Sequence, residues 1–140
     1  MHLPTICLVI LCSLASGQVL FQAKVTCNIG TYWCGELYIL EEDWLFHDQL
    51  AHDKFCTSDM YKQLDYTVNP KDFPTMDYEI FYKFNHNCTA DGKTYCVQPK
   101  ESKKVHKWVG HRRVKFLIDA SANGKPKTCE WPFFYGGFWG

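Results

Sequence analysis

An all-β sandwich held together by disulfides is the fold class this sequence predicts, on three observations. Aromatic and β-branched residues recur in short runs that alternate with polar residues. Gly, Pro, Asn and Asp interrupt those runs at short intervals. Six cysteines remain once an apolar leader is set aside. Successive strand side chains point to opposite faces, so period-two alternation marks a strand with one buried side. Several such runs separated by turn signals read as a sandwich or small barrel.

The chain has 140 residues, enough for one domain. Leu8 to Leu14 form an apolar run, and Ala15-Ser16-Gly17 place small residues before a cut at Gln18. That is the layout of a secretory signal peptide over residues 1–17, although the start carries only His2 and the terminal amine as basic groups. The alternative is a short membrane anchor. The run is too short for that, because a spanning helix needs about 20 apolar residues, and no other segment approaches that length. The expected layout is therefore a leader at 1–17, a β domain at 18–131 and an aromatic, Gly-rich tail at 132–140.

Each element follows from local pattern. Phe21, Ala23, Val25 and Cys27 alternate with Gln22, Lys24 and Thr26, and a turn follows at Asn28-Ile29-Gly30. A second run goes from Trp33 to Leu40, with Trp33, Leu37 and Ile39 on one face. Glu41 to Lys54 breaks the pattern, since Trp44, Leu45, Leu50 and Ala51 sit among acidic residues and two histidines. It reads as a long loop with room for a helical turn. Runs at Phe55–Thr57 and Tyr61–Val68 precede the breaks Asn69-Pro70 and Phe73-Pro74.

Tyr78 to His86 is the clearest strand, with Tyr78, Ile80, Tyr82 and Phe84 sharing a face against Glu79, Lys83 and Asn85. Glu101 to Trp108 is the one stretch with room for a longer helical pattern. Arg112 to Asp119 is the second clearest strand, with Val114, Phe116 and Ile118 inward. Ala122-Asn123-Gly124-Lys125 reads as a hairpin turn. In the tail, Trp131 to Tyr135 reads as a cover over the core or as an anchor for a partner, and Gly136 to Gly140 as a mobile end.

The six remaining cysteines are Cys27, Cys34, Cys56, Cys88, Cys96 and Cys129. An even number in a short exported chain implies three disulfides, each contributing roughly 2–4 kcal/mol. About 15 connectivities are possible, and spacing does not choose among them. Cys88 and Cys96 are the easiest pair, because they flank a short polar loop containing Asp91-Gly92. A metal site is the rival reading, but there is no C-x-x-C, and no metal or other cofactor is expected.

Net charge is zero but unevenly spread. Gln18 to Gly92 carries five Lys/Arg against twelve Asp/Glu, a balance of −7. Lys93 onward carries ten against three, a balance of +7. The basic part centres on Lys100 to Lys115, with seven cations against one anion. Lys103, Lys104, Lys107, Trp108, Arg112 and Arg113 are the candidate binding face, suited to sulfated glycans or anionic lipid, each cation near a charged membrane contributing about 1 kcal/mol. The plainer reading is a solvated strand edge whose lysines discourage edge-to-edge pairing. Nucleic acid is not expected for an exported chain without net positive charge.

The order of features resembles the nematode transthyretin-like family. Val25-Thr26-Cys27 ends the first strand where that family has a cysteine, and Glu36-Leu37-Tyr38-Ile39-Leu40-Glu41-Glu42-Asp43 is similar to its second strand and acidic loop. The segment from Asp77 to Cys88 resembles its aromatic strand ending in a His-Asp-Cys-like motif, and Cys129 follows a short turn near the C-terminus. The likeness covers most of Gln18 to Cys129. It implies a secreted, transthyretin-like (prealbumin-like) β-sandwich without a known catalytic site, some members of which are thought to bind extracellular proteins or phospholipid surfaces. The chain departs from that pattern at Asp59-Met60-Tyr61-Lys62, which lacks the family's turn glycine, at Cys34 and Cys56, which look like an extra pair, and in the tail. No binding residue is carried over.

Enzyme motifs are thin. Gly30 to Gly35, followed by His52-Asp53 and Cys56, is similar in layout to secreted phospholipase A2, where a Gly-rich loop holds calcium and a His beside an Asp activates water. The Cys-Cys pair before the His is missing, and Glu36-Leu37-Tyr38 replaces the loop glycines. His47-Asp48 and His52-Asp53 otherwise read as loop histidines beside solvated carboxylates. Neither G-x-S-x-G nor H-E-x-x-H occurs. Asn87-Cys88-Thr89 is an N-glycosylation sequon whose middle cysteine competes with glycan addition. The expected function is a secreted, non-catalytic binding or signalling module that contacts an extracellular protein, glycan or anionic lipid surface. The alternatives are a calcium-dependent phospholipase A2-like enzyme and a secreted effector or toxin-like polypeptide.

Overall fold

The computed structural model describes residues 17–43, 47–71, 76–108, 112–121 and 129. The expected leader up to residue 16, the turn at 122–125 and the aromatic tail lie outside the described residues. Among the described residues there are eight strands and no helix. They are β1 (Val19–Thr26), β2 (Trp33–Glu42), β3 (His47–Thr57), β4 (Tyr61–Val68), β5 (Asp77–His86), β6 (Tyr95–Val97), β7 (Lys103–His106) and β8 (Arg113–Asp119).

Two sheets form. The first is ordered β4-β1-β8, with β1 antiparallel to β4 and parallel to β8. The second is ordered β3-β2-β5, and β6 and β7 both pair with β5, at opposite ends of that strand. The alternating residues of β1, β5 and β8 behave as their pattern requires. Phe21, Ala23, Val25, Val114, Phe116 and Ile118 are buried from the first sheet, and Trp33, Leu37, Ile39, Ile80, Tyr82 and Phe84 from the second. Rings interlock within this core: Tyr82 meets Phe116 edge-on at 4.9 Å, and Phe21 lies 5.4 Å from Phe116. Full burial of each such ring contributes roughly 1.5–3 kcal/mol. Burial alone pushes the Tyr82 hydroxyl up to about 12. Trp33 is 1% exposed, and its indole N–H donates to the carbonyl of Asp59 at 2.9 Å, so its one polar group is satisfied inside.

Two secondary-structure expectations are corrected. The loop expected over Glu41–Lys54 is largely strand: β2 runs to Glu42, and β3 fills His47–Thr57. Its charged composition hid it, because β3 is an edge strand ordered by pairing with β2 from Trp33↔Thr57 to Glu42↔His47. The register steps between Ile39 and Leu40, from Ala51 to Gln49, leaving Leu50 extra on β3 as a bulge. The stretch with room for a helical pattern, Glu101–Trp108, instead contains strand β7, because Lys103–His106 adds to the edge of β5.

The bridges are Cys27–Cys88, Cys34–Cys56 and Cys96–Cys129. The expected Cys88–Cys96 pairing is wrong. Register sets Cys96 opposite Asn85, three residues along the strand from Cys88, or roughly 10 Å at strand spacing. Cys88 instead meets Cys27 at the end of β1, so this bridge joins the two sheets. Cys34–Cys56 forms the extra pair that the sequence suggested.

Candidate functional site

The order of the sheets sorts part of the charge. Strands β3 and β4 form one flank of the sandwich, and β7 and β8 the other. Glu36, Glu41, Glu42, Asp48 and Asp53 fall on β2 and β3, while Lys103, Lys104, Arg113 and Lys115 fall on β7 and β8. Asp48 and Asp53 of β3 are thus held on the flank opposite β7 and β8, while Glu79 of β5 lies beside β7 and pairs with Lys104.

The structure brings most of the candidate basic residues to this flank and gives several of them structural work. Lys103 reaches across to β8, where its ammonium lies 4.7 Å from the Phe116 ring centroid and donates to the Lys115 carbonyl. That contact covers part of the β8 edge, as the edge-protection reading anticipates. Lys104 pairs with Glu79 at 3.1 Å, and the Lys107 ammonium lies 5.0 Å over Tyr78. Arg113 and Lys115 are exposed on β8. The carbonyl of Arg112 accepts the Leu20 N–H at 2.9 Å, which anchors the start of that strand. Trp108, which follows Lys107 just beyond β7, is 76% exposed, and Leu117 is 84% exposed on the outer face of β8. Lys115 and Leu117 were not singled out from the sequence, yet strand alternation with Val114, Phe116 and Ile118 inward sends both outward.

A second cluster occupies the solvent face of the other sheet. Glu36 on β2 accepts from the Tyr38 hydroxyl at 2.8 Å, contacts His52 Nε2 at 2.9 Å and pairs with Lys54 at 3.1 Å. Tyr38 and His52 stack with ring centroids 4.3 Å apart. Partial burial pushes the Glu36 carboxyl up, but the hydrogen bonds from Tyr38, His52 and Lys54 and the Lys54 charge outweigh it and hold it at about 2. The Tyr38 hydroxyl is pushed to about 12 by burial and by the Glu36 charge. Because the folded carboxyl lies below its ordinary 4.5, its stabilisation is present above that value and is lost as pH falls towards 2. Glu36→Gln should therefore be less stable than the wild type near neutral pH, by a modest amount at this partly exposed site. The gap between their urea midpoints should close on acidification towards pH 2. A gap independent of pH would contradict the assigned bonds.

This cluster was hidden from the sequence, because Glu36 and His52 are sixteen residues apart and meet only through the β2–β3 register. The same register separates the phospholipase-like pair. His52 and Asp53 are consecutive in an extended strand and leave on opposite faces: His52 turns to Glu36, and Asp53 accepts from the Tyr66 hydroxyl. Among the described residues, no group of three or more His, Cys, Asp or Glu side chains is placed to hold a metal. Asn87 is exposed at the end of β5, where its Oδ1 accepts the Cys34 N–H at 2.7 Å, while Cys88 is locked to Cys27. No helix among the described residues is long and apolar enough to cross a membrane.

Two facing sheets and three bridges define the class: a small disulfide-stapled β-sandwich domain. Within that class the chain belongs to a family described as Caenorhabditis elegans protein of unknown function (DUF870), whose family model matches residues 22–132. No curated protein and no solved structure matches the chain.

Proposed function

We propose that the protein is a secreted, non-catalytic binding module that presents the β7–β8 flank to an anionic extracellular partner, whether a protein, a glycan or a lipid surface. The observation that carries this reading is the gathering of Lys103, Lys104, Lys107, Arg113 and Lys115 on the β7–β8 flank, with the exposed indole of Trp108 following Lys107 in the chain. Three disulfides in a domain of this size suit an oxidising compartment and support secretion. The two facing sheets, with the first strand central in one and the second strand central in the other, support the transthyretin-like reading of the fold. Separation of His52 from Asp53 favours binding over calcium-dependent hydrolysis.

Binding to immobilised heparin and to vesicles of phosphatidylcholine, with and without phosphatidylserine, tests this at two salt concentrations. We expect retention that weakens with salt. Arg113→Glu with Lys115→Glu should weaken it by about 2 kcal/mol or more, roughly thirtyfold, because two favourable charges become repulsive. These two side chains are the better probes, since changing Lys103 also uncovers the β8 edge. Salt-insensitive binding, or full retention by the double variant, would remove the basic flank from the function.

A further inference from the structure

The Cys34–Cys56 bridge is placed unlike the other two. Cys27, Cys88 and Cys129 are buried and Cys96, like Cys34, is half-buried, whereas Cys56 is the one exposed sulfur-bearing residue among the six. The bridge joins residues directly opposite one another on β2 and β3, on the solvent face of the sheet. It lines a groove of about 430 Å³ together with Glu36, Lys54, Asn87 and Thr94.

Opening this bridge requires no strand to separate. The β2–β3 ladder runs along the whole length of β2, and β2 is also bonded to β5 from Gly35 to Glu41. The Cys34 backbone is held independently by Asn87, whose Oδ1 accepts the Cys34 N–H at 2.7 Å and whose N–H donates to the Cys34 carbonyl at 3.2 Å. Behind the bridge, Trp33, Phe55 and Phe84 close the core. By contrast, Cys27–Cys88 lies between the sheets with both residues buried, so a thiol can reach it only if the sandwich parts.

We propose that Cys34–Cys56 is a thiol-exchange site, which takes a small cysteine-containing thiol in the groove while the other two bridges stay closed. The incoming thiolate attacks Cys56 Sγ, the exposed sulfur. The Cys34–Cys56 bond breaks, and its electron pair leaves on Cys34 Sγ, which takes a proton from water. The product is a mixed disulfide at Cys56 and a free thiol at Cys34. A second small thiolate then attacks the small-molecule sulfur of the mixed disulfide. This releases Cys56 as a thiolate, which is protonated in turn, and yields the disulfide of the small thiol. The protein gains two electrons, and the two small thiols lose them. Lys54 is two residues from Cys56 on the same face of β3, and its ammonium is paired with Glu36 in the same groove, so the exposure of Cys56 rather than local charge governs the attack. Exchange rates follow thiolate fraction and access to the attacked sulfur, and the exposure of Cys56 is what sets this bridge apart.

Reduced glutathione provides the probe. The disulfide-intact protein is exposed to it for graded times, quenched with iodoacetamide and mapped by peptide mass spectrometry. We expect Cys34 and Cys56 to be modified about tenfold or more faster than the other four cysteines. The trapped glutathione adduct should sit on Cys56, and the β-sheet circular dichroism should be retained. Equal or faster opening of Cys96–Cys129, simultaneous opening of all three bridges with loss of the β signal, or an adduct on Cys34 would each overturn the proposal. Cys34→Ser with Cys56→Ser should remove the fast phase of glutathione uptake, and its persistence would also overturn it. The wild-type map decides the question even if the double variant does not fold.

Discussion

Replacing both Cys27 and Cys88 by alanine should lower stability by about 4 kcal/mol, the largest loss expected from removing any one bridge. The bridge closes a sequence separation of 61 residues, and chain-entropy reasoning gives about 4 kcal/mol for a loop of that order. Its position strengthens the case. Cys27 follows the last residue of β1 and Cys88 lies just beyond β5, so the bond ties one sheet to the other where the core strands end. Both residues are buried, so alanine also leaves space where the sulfurs packed. Cys34–Cys56 offers the contrast. It spans 22 residues and joins strands that are already paired, so its removal should matter less. Urea unfolding of the two double variants under non-reducing conditions gives the comparison. A loss below about 1 kcal/mol for the Cys27–Cys88 variant would mean that the sheets hold together by core packing alone.

Gly35→Val should cost about 3 kcal/mol or more, although the change adds only an apolar side chain. Gly35 lies on β2 with its missing side chain aimed into the core. A Cβ placed there would stand 2.6 Å from Phe84 Cζ, 2.7 Å from Phe84 Cε2 and 2.8 Å from Phe55 Cζ. Phe84 is fully buried and stacked against both Phe55 and His86, so its ring has nowhere to go. The glycine therefore serves a close approach between strand and rings, and its backbone conformation is ordinary. Phe84→Leu in the Gly35→Val background should recover part of the loss, giving a favourable coupling in a double-mutant cycle. If Gly35→Val unfolds at the wild-type urea concentration, the packing described around β2 is incorrect.

Much of the fold was legible along the chain because β1, β5 and β8 each carry one apolar face. Phe21-Ala23-Val25, Tyr78-Ile80-Tyr82-Phe84 and Val114-Phe116-Ile118 all point inward, as alternation demands. Gly30 and Gly92 sit at φ +73° and +69°, in turns where the polar, glycine-containing sequence placed them. Strand β3 was illegible for a definite reason. His47-Asp48-Gln49 and His52-Asp53-Lys54 show little hydrophobic contrast, and their extended state comes from hydrogen bonds to β2, a segment five or more residues away in sequence. The same limit hid strand β7, whose lysines look helical or solvated until β5 supplies an edge.

The basic flank was half legible. The cluster of cations was plain in the sequence, and so was the acidic excess before it. Which lysines are occupied was not, because Lys103 finds Phe116 and Lys104 finds Glu79 only after β7 docks.

Taken alone, the sequence determined an all-β, cysteine-bridged class, the inward faces of its strongest strands and the segregation of charge into two halves. Those properties are local, set by side-chain periodicity and composition. The tertiary structure alone decided which cysteines meet, that β3 and β7 are strands, and that Glu36 and His52 share a site. Each of these depends on strand register between distant segments, and register is chosen by the packing of the whole core rather than by any one stretch of chain.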